Sequence, residues 1–333
     1  MTDRHPSFIY RGGDMMAPPP FELRKSRFYG FFVKGDISKM QATVDRELNA
    51  VGGTDFRLKV ISDHVMLACA DLTNVYPTPP EYRRKGFIKE LDICFWIPVG
   101  RVTVENGKER VHEIFWYCDY IWVDSPITMV AGRDIYGYPK TMGIFDFPDP
   151  SAPDHFSLKV NSFKDYAPET EALWNKVLSV DNLMPGGGPV SRWTSYVDAL
   201  KGIWDVLDDG LFHPDLHATE QMLELLLKPE LPQIFLKQFP DASAEKAVYQ
   251  SLVSLPAVID HFEAGGLLSG EYQLTLEQVD GIPLVEDLGL KIGPQALTLG
   301  IWMDYDFTLP VGKVLVENTY IPPKQKIAVL GGG

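Results

Sequence analysis

The stretch Gly132-Arg133-Asp134-Ile135-Tyr136-Gly137-Tyr138-Pro139-Lys140-Thr141-Met142-Gly143 decides how this chain is read. Gly137 and Pro139 punctuate it, so the plainest reading is a turn with Lys140 pointing to water. Its company argues otherwise. Ile135, Tyr136, Tyr138, Met142 and Ile144 surround the lysine, and apolar runs precede it. Burial in such surroundings disfavours the charged form of a lysine, and a neutral amine is a nucleophile toward carbonyl carbon.

Working outward, the segments before the lysine read as β-rich. Leu58–Ser62, Val65–Ala70, Leu91–Val99, Val111–Val123 and Pro126–Ala131 are short apolar runs separated by turn residues, which suggests antiparallel strands. Phe28–Val33 reads as an earlier strand. Asp36 is a candidate N-cap for a helix whose Ile37, Met40, Val44 and Leu48 share one face, stopped by Gly52-Gly53. After the lysine, Thr170–Val180, Ser191–Leu207 and Ala218–Leu227 read as helices. The second carries Trp193, Val197, Leu200 and Trp204 along one face. Strands return at Ile234–Phe239, Val248–Ile259, Tyr272–Leu276 and Leu297–Trp302, and Val311–Glu317 suits either state.

The chain has 333 residues, 31 Lys+Arg against 45 Asp+Glu, and hence a net charge of −14. At roughly 150 residues per domain the length suggests about two domains, or one large one. The hydrophobic share of 45% and charged share of 23% are those of a globular protein. A pI near 4.9 argues against nucleic acid and anionic membrane as partners, since a phosphate backbone demands a basic face. Cys69, Cys94 and Cys118 sit singly in apolar runs, too few for a disulfide framework, and point to the cytoplasm. The N-terminal residues lack the apolar core of a signal peptide, and no uncharged apolar run reaches the ~18 residues of a membrane span. Walker, Rossmann, nucleophile-elbow and zincin motifs are missing from the sequence. His213 and His217 have i, i+4 spacing, but Pro214 intervenes and no third ligand is evident, so no metal is expected. The Gly186–Gly188 run reads as a linker.

On Arg133, Asp134, Gly137, Tyr138, Pro139 and Lys140 the chain resembles the acetoacetate decarboxylase superfamily. That family carries Gly-Arg-Glu and then Gly-Phe/Tyr-Pro-Lys-Lys, and its first lysine forms a Schiff base. Ile97-Pro98-Val99 is similar to the family's upstream strand. Arg27-Phe28-Tyr29 with Gly35-Asp36 is similar to its N-terminal strand and helix, and Asp304–Glu317 to its last strand and closing helix. The resemblance implies an α+β fold, mainly antiparallel β, curled into a cone-like barrel; residues 165–230, read as helical from their pattern, have no counterpart in it and stand as an insertion. With the Pro- and Gly-rich start read as an irregular arm, the chain divides into an arm (1–23), a β domain (24–164 and 231–320), the insertion (165–230) and a tail (321–333). The resemblance also implies a homo-oligomer, no cofactor and a small keto acid as substrate.

The implied reaction is decarboxylation of a β-keto acid: the neutral lysine forms an imine, which draws electrons from the breaking C–C bond. Bringing a lysine from ~10.4 to ~7 takes about 4–5 kcal/mol at 1.36 kcal/mol per unit. Thr141 stands where the family has a second lysine, so burial has to supply that energy. The family's proton-shuttling carboxyl lies six residues before the proline of its Ile-Pro-Val strand. Here that position is Asp92, with Glu90 as second candidate two residues earlier on the same face; solvent-facing acids on an edge strand are the plain alternative. For the cation that orients the substrate carboxylate, strict counting lands on Ser26, and the neighbouring Arg27 is the candidate. Tyr138 is a candidate for contact with substrate, and Arg133 for holding the loop through a carboxylate. Two other readings use the same barrel: an aldolase–dehydratase acting on 2-oxo acids, and a non-catalytic small-molecule binder.

Overall fold

The computed structural model describes residues 7–9, 17–53, 56–105, 107–184, 189–199, 201 and 230–319. Its strands in chain order are β1 (Phe21–Lys34), β2 (Arg57–Val60), β3 (His64–Pro77), β4 (Ile88–Glu105), β5 (Lys108–Val123), β6 (Lys140–Asp146), β7 (His155–Ser162), β8 (Leu173–Asn182), β9 (Pro189–Trp193), β10 (Glu230–Pro240), β11 (Ala247–Leu268), β12 (Tyr272–Leu276), β13 (Gly293–Ala296), β14 (Leu299–Leu309) and β15 (Lys313–Thr319). Seven of them close a ring in the order β5, β10, β11, β14, β1, β3, β4 and back to β5. All neighbours in the ring are antiparallel except β5 and β10. A second sheet of β6, β7, β8, β12 and β13 continues from β5, against which β6 runs parallel.

Closure follows from strands that are apolar on both faces, since each face then needs cover. Along β4, Ile93, Phe95, Ile97 and Val99 point outward into one core, shared with Met40, Val44 and Leu48. Those three belong to α1 (Ile37–Val44) and the π-helical turn Asp45–Asn49 that continues it. Asp36 caps α1, accepting from the Ser38 and Lys39 amides, as its sequence position foretells. Cys94 and Trp96 point the other way and join Ala68, Ala70 and Ile121 in a core inside the barrel.

Several segments differ from the sequence reading. Thr170–Val180, read as helix, holds most of β8, paired with β7 and β12. Its apolar Val177, Leu178 and Val180 fit either period, and sheet partners on both sides settled the choice. In Ser191–Leu207 the first residues belong to β9, residues 196–199 are helical, and most of the remainder lies outside the described residues. Ala218–Leu227, the histidines, the glycine run and the tail also lie outside them. Pro126–Ala131, read as strand, is a helix (α4 in chain order, after Ala50–Gly52 and Pro80–Arg83), with Pro126 in its first turn and the Ser125 hydroxyl accepting from the Thr128 amide. The closing helix implied for the C-terminal segment is instead β15, whose backbone groups are satisfied along β11. Among the described residues no helix is long and apolar enough to cross a membrane.

Candidate active site

Lys140 is the first residue of β6 and lies beside Ile121 of β5. What brings it there is the glycine-punctuated stretch before it. Helix α4 runs into a π-helical turn, Gly132–Tyr136, which Gly137 ends at φ +90°. A Cβ at Gly137 would meet the Leu236 carbonyl oxygen at 2.8 Å, so close packing against β10 and a left-handed backbone both demand glycine. The lysine side chain then passes over Gly132, where a Cβ would sit 2.6 Å from Lys140 Cδ. Arg133 holds the loop by donating to the Lys140 main-chain oxygen at 3.0 Å, a carbonyl rather than the expected carboxylate.

Inside the barrel Lys140 Nζ donates to both carboxylate oxygens of Glu90, at 2.9 and 3.0 Å. Nζ also lies 5.3 Å from the Tyr138 ring centroid. Lys140, Glu90 and Asp92 are 8%, 3% and 6% exposed, so the two acids are not solvent-facing residues of an edge strand. They share a face because β4 is regular there, Glu90 opposite Leu72 and Asp92 opposite Ala70. Asp92 accepts from the Cys94 thiol at 3.6 Å. Burial, reinforced by the negative charge of Glu90 and opposed by Lys140, holds the Asp92 carboxyl well above the usual range, which favours its protonated form. The trio therefore combines a lysine nitrogen, a carboxyl group in contact with it, and a second carboxyl close by whose protonated form is favoured.

These groups line a cavity of about 250 Å³ whose walls are otherwise mostly apolar. Tyr138 lines it too, its hydroxyl donating to Gln233 Oε1 of β10. Gln233, which sequence reasoning missed, has a signal in hindsight: a polar residue within the apolar run Leu231–Phe235. Gly132 was likewise legible only as part of a turn.

Arg27 is not in the cavity. Its neighbour Phe28 points inward, which turns Arg27 outward to a two-pronged pair with Asp304 (Nε to Oδ1 2.6 Å) and to the Pro150 carbonyl. Ser26, where strict counting lands, is buried, and its hydroxyl has no hydrogen-bond partner. The structure thus brings together Lys140, Glu90, Asp92 and Tyr138, and leaves Arg27 outside. Among the described residues no group of three or more His, Cys, Asp and Glu side chains is arranged to hold a metal.

Solved structures share this architecture. An acetoacetate decarboxylase from Legionella pneumophila is 15% identical with a TM-score of 0.55, over 95% of this chain and 93% of that one. An acetoacetate decarboxylase-like enzyme from Sphingomonas wittichii is 14% identical with a TM-score of 0.55, over 94% and 99%. The enduracididine biosynthesis enzyme MppR, complexed with the condensation product of pyruvate and imidazole 4-carboxaldehyde, is 13% identical with a TM-score of 0.52, over 92% of each chain. No family model matches the sequence. No curated protein matches it either. The chain has the acetoacetate decarboxylase fold, and at this identity the likeness speaks for the fold alone.

Proposed function

We propose that the protein is a Schiff-base-forming lyase that decarboxylates a β-keto acid through Lys140. The observation that carries this reading is a buried lysine, held by Glu90 and facing a mostly apolar cavity inside the barrel. Glu90 is within reach to take the ammonium proton, which frees the amine to attack the ketone. Asp92, pushed toward its protonated form by burial beside Glu90, gives a proton to the departing hydroxyl, so that water leaves and a protonated imine forms. The bond to the carboxylate then breaks, and its electron pair moves onto the imine nitrogen as an enamine, with loss of carbon dioxide. Protonation at carbon and hydrolysis release the ketone and restore the lysine. The Legionella enzyme, similar in fold, is named for such a reaction. The acidic exterior is no bar to an anionic substrate, because surface charges are screened beyond roughly 8 Å.

The test is chemical trapping. Incubation with acetoacetate and borohydride is expected to add a mass that maps to Lys140 and is absent in Lys140→Ala, with carbon dioxide released from the untrapped reaction. An adduct with pyruvate and an aldehyde acceptor, without carbon dioxide release, would move the assignment to the aldolase–dehydratase. No adduct with any keto acid would leave the barrel as a binder.

A further inference from the structure

We infer that the acid taken by this site is a 3-oxo acid with an extended, uncharged alkyl chain, and that this chain lies in the barrel beyond Cys94. The inference rests on the imine reading above. Strand β4 turns Ile88, Glu90, Asp92, Cys94, Trp96 and Pro98 into one cavity. Those ten residue steps span about 33 Å at ~3.3 Å each. The reactive groups occupy a single station along that length. From Cys94 to Pro98, about 13 Å further on, the facing walls include Phe32, Met66 and Trp116, with Gln233 beside Trp116 accepting from Tyr138, and none of these is charged. The Trp96 indole N–H is turned to the Cys94 thiol at 2.9 Å, which leaves it committed within the wall.

Charge in the lining points the same way. Lys140 is the one basic side chain among the described residues that line the cavity, against Glu90, Asp92 and Glu230. At the other end a β-bulge keeps cations out. Regular alternation from Phe28 and Ser26 would turn Arg24 inward, but Lys25 takes φ 56° and the register shifts between Leu23 and Ser26. Leu23 and Phe21 face the cavity instead, and Arg24 is carried out to Asp260 at 2.6 Å. An anionic tail would meet no basic partner in either direction among the described lining residues and would lose its hydration. An alkyl tail gains about fourfold in binding for each methylene it buries. The reaction needs no co-reactant: the 3-oxo acid and one proton become a methyl ketone and carbon dioxide.

The experiment measures kcat/KM by carbon dioxide release for 3-oxobutanoate, 3-oxohexanoate, 3-oxooctanoate and 3-oxodecanoate, with 3-oxohexanedioate as a polar-tailed control. Borohydride trapping at Lys140 is run on each. The expected result is a rise of at least tenfold from four to eight carbons, with the diacid at least tenfold below 3-oxohexanoate. A flat or falling series with a Lys140 adduct from the four-carbon acid overturns the chain inference and leaves the imine reading standing. No adduct and no turnover with any member overturns both. Position is tested by the ratio of ten-carbon to four-carbon kcat/KM, which does not depend on the folded fraction. Met66→Trp is expected to lower that ratio at least tenfold, and an unchanged ratio overturns the placement. Should that variant fail to fold, Phe32→Ala decides: its ratio is expected to change severalfold, and constancy overturns the placement.

Discussion

Two acidic clusters flank strand β5, and one of them lines the barrel cavity. Inside the barrel Glu90 and Asp92 meet Lys140 at the cavity wall. On the outer side Glu47, Asp119 and Asp287 gather around Arg46. Tyr117 donates to Glu47, Tyr120 donates to Asp287 at 2.6 Å, and Arg46 bonds Asp287 at 3.0 Å. Asp119 is the extra residue of a bulge in the β4–β5 ladder. It is 8% exposed, and its Oδ2 has no hydrogen-bond partner. Burial, with the charges of Glu47 and Asp287, pushes its carboxyl well above the usual range, just as burial and Glu90 do for Asp92. By the direction of that shift alone the two clusters look alike. They differ in that none of Glu47, Asp119 and Asp287 lines the cavity, while Glu90, Asp92 and Lys140 all do. A displaced pKa marks burial among like charges, and access to a cavity with a nucleophile makes it a candidate for chemistry.

The comparison breaks most decisively at the lysine. Lys140→Ala is expected to lower turnover about 10⁴-fold or more while circular dichroism stays unchanged; a variant that keeps a tenth of its turnover would end the imine assignment. Next come the acids. Glu90→Gln is expected to slow turnover about 10²–10⁴-fold, more than Asp92→Asn, because Glu90 is the group in contact with Nζ. That order reverses the one counted from the sequence, and single-turnover imine formation measures it. Gly132→Ala is expected to cost about 10²-fold in kcat, since the new Cβ must displace the lysine stem by which the amine is aimed. Equal rates for Gly132→Ala and the parent would show that the close approach does not constrain the lysine.

The smallest expected effect is on stability, and it is where the two clusters should agree. A carboxyl whose folded pKa is raised binds its proton more tightly in the folded state. Its contribution is therefore most favourable at low pH. It declines by about 1.4 kcal/mol per unit as pH rises from the unfolded value of ~3.9 toward the folded one. Asp119→Asn removes that decline. The variant should gain about 1–2 kcal/mol over the parent at pH 7 and little at pH 4 in denaturant titrations, with kcat unchanged. Asp92→Asn should show the same gain while losing activity. A gain of similar size at both pH values would show that ionisation is not its source.

Much of the barrel was legible because two-faced apolar strands and turn residues are local signals. Asp36 as a cap, the Met40, Val44 and Leu48 stripe, and strand β12 at Tyr272–Leu276 stand in the structure where the pattern put them. The same local logic misread β8, since valines and leucines at short spacing serve helix and strand equally, and it misread α4, whose cap and proline were outweighed by an apolar run.

By itself the sequence determined that a lysine sits among aromatic residues after a glycine-punctuated loop, and that two acids two residues apart share one strand face. Those are properties of neighbours along the chain. Which acid touches the lysine, that Arg27 turns outward, and that a bulge at Lys25 keeps Arg24 from the cavity were decided only when the ring of strands closed. Register between strands far apart in the chain sets which side chains meet, and a one-residue shift in it exchanges the faces.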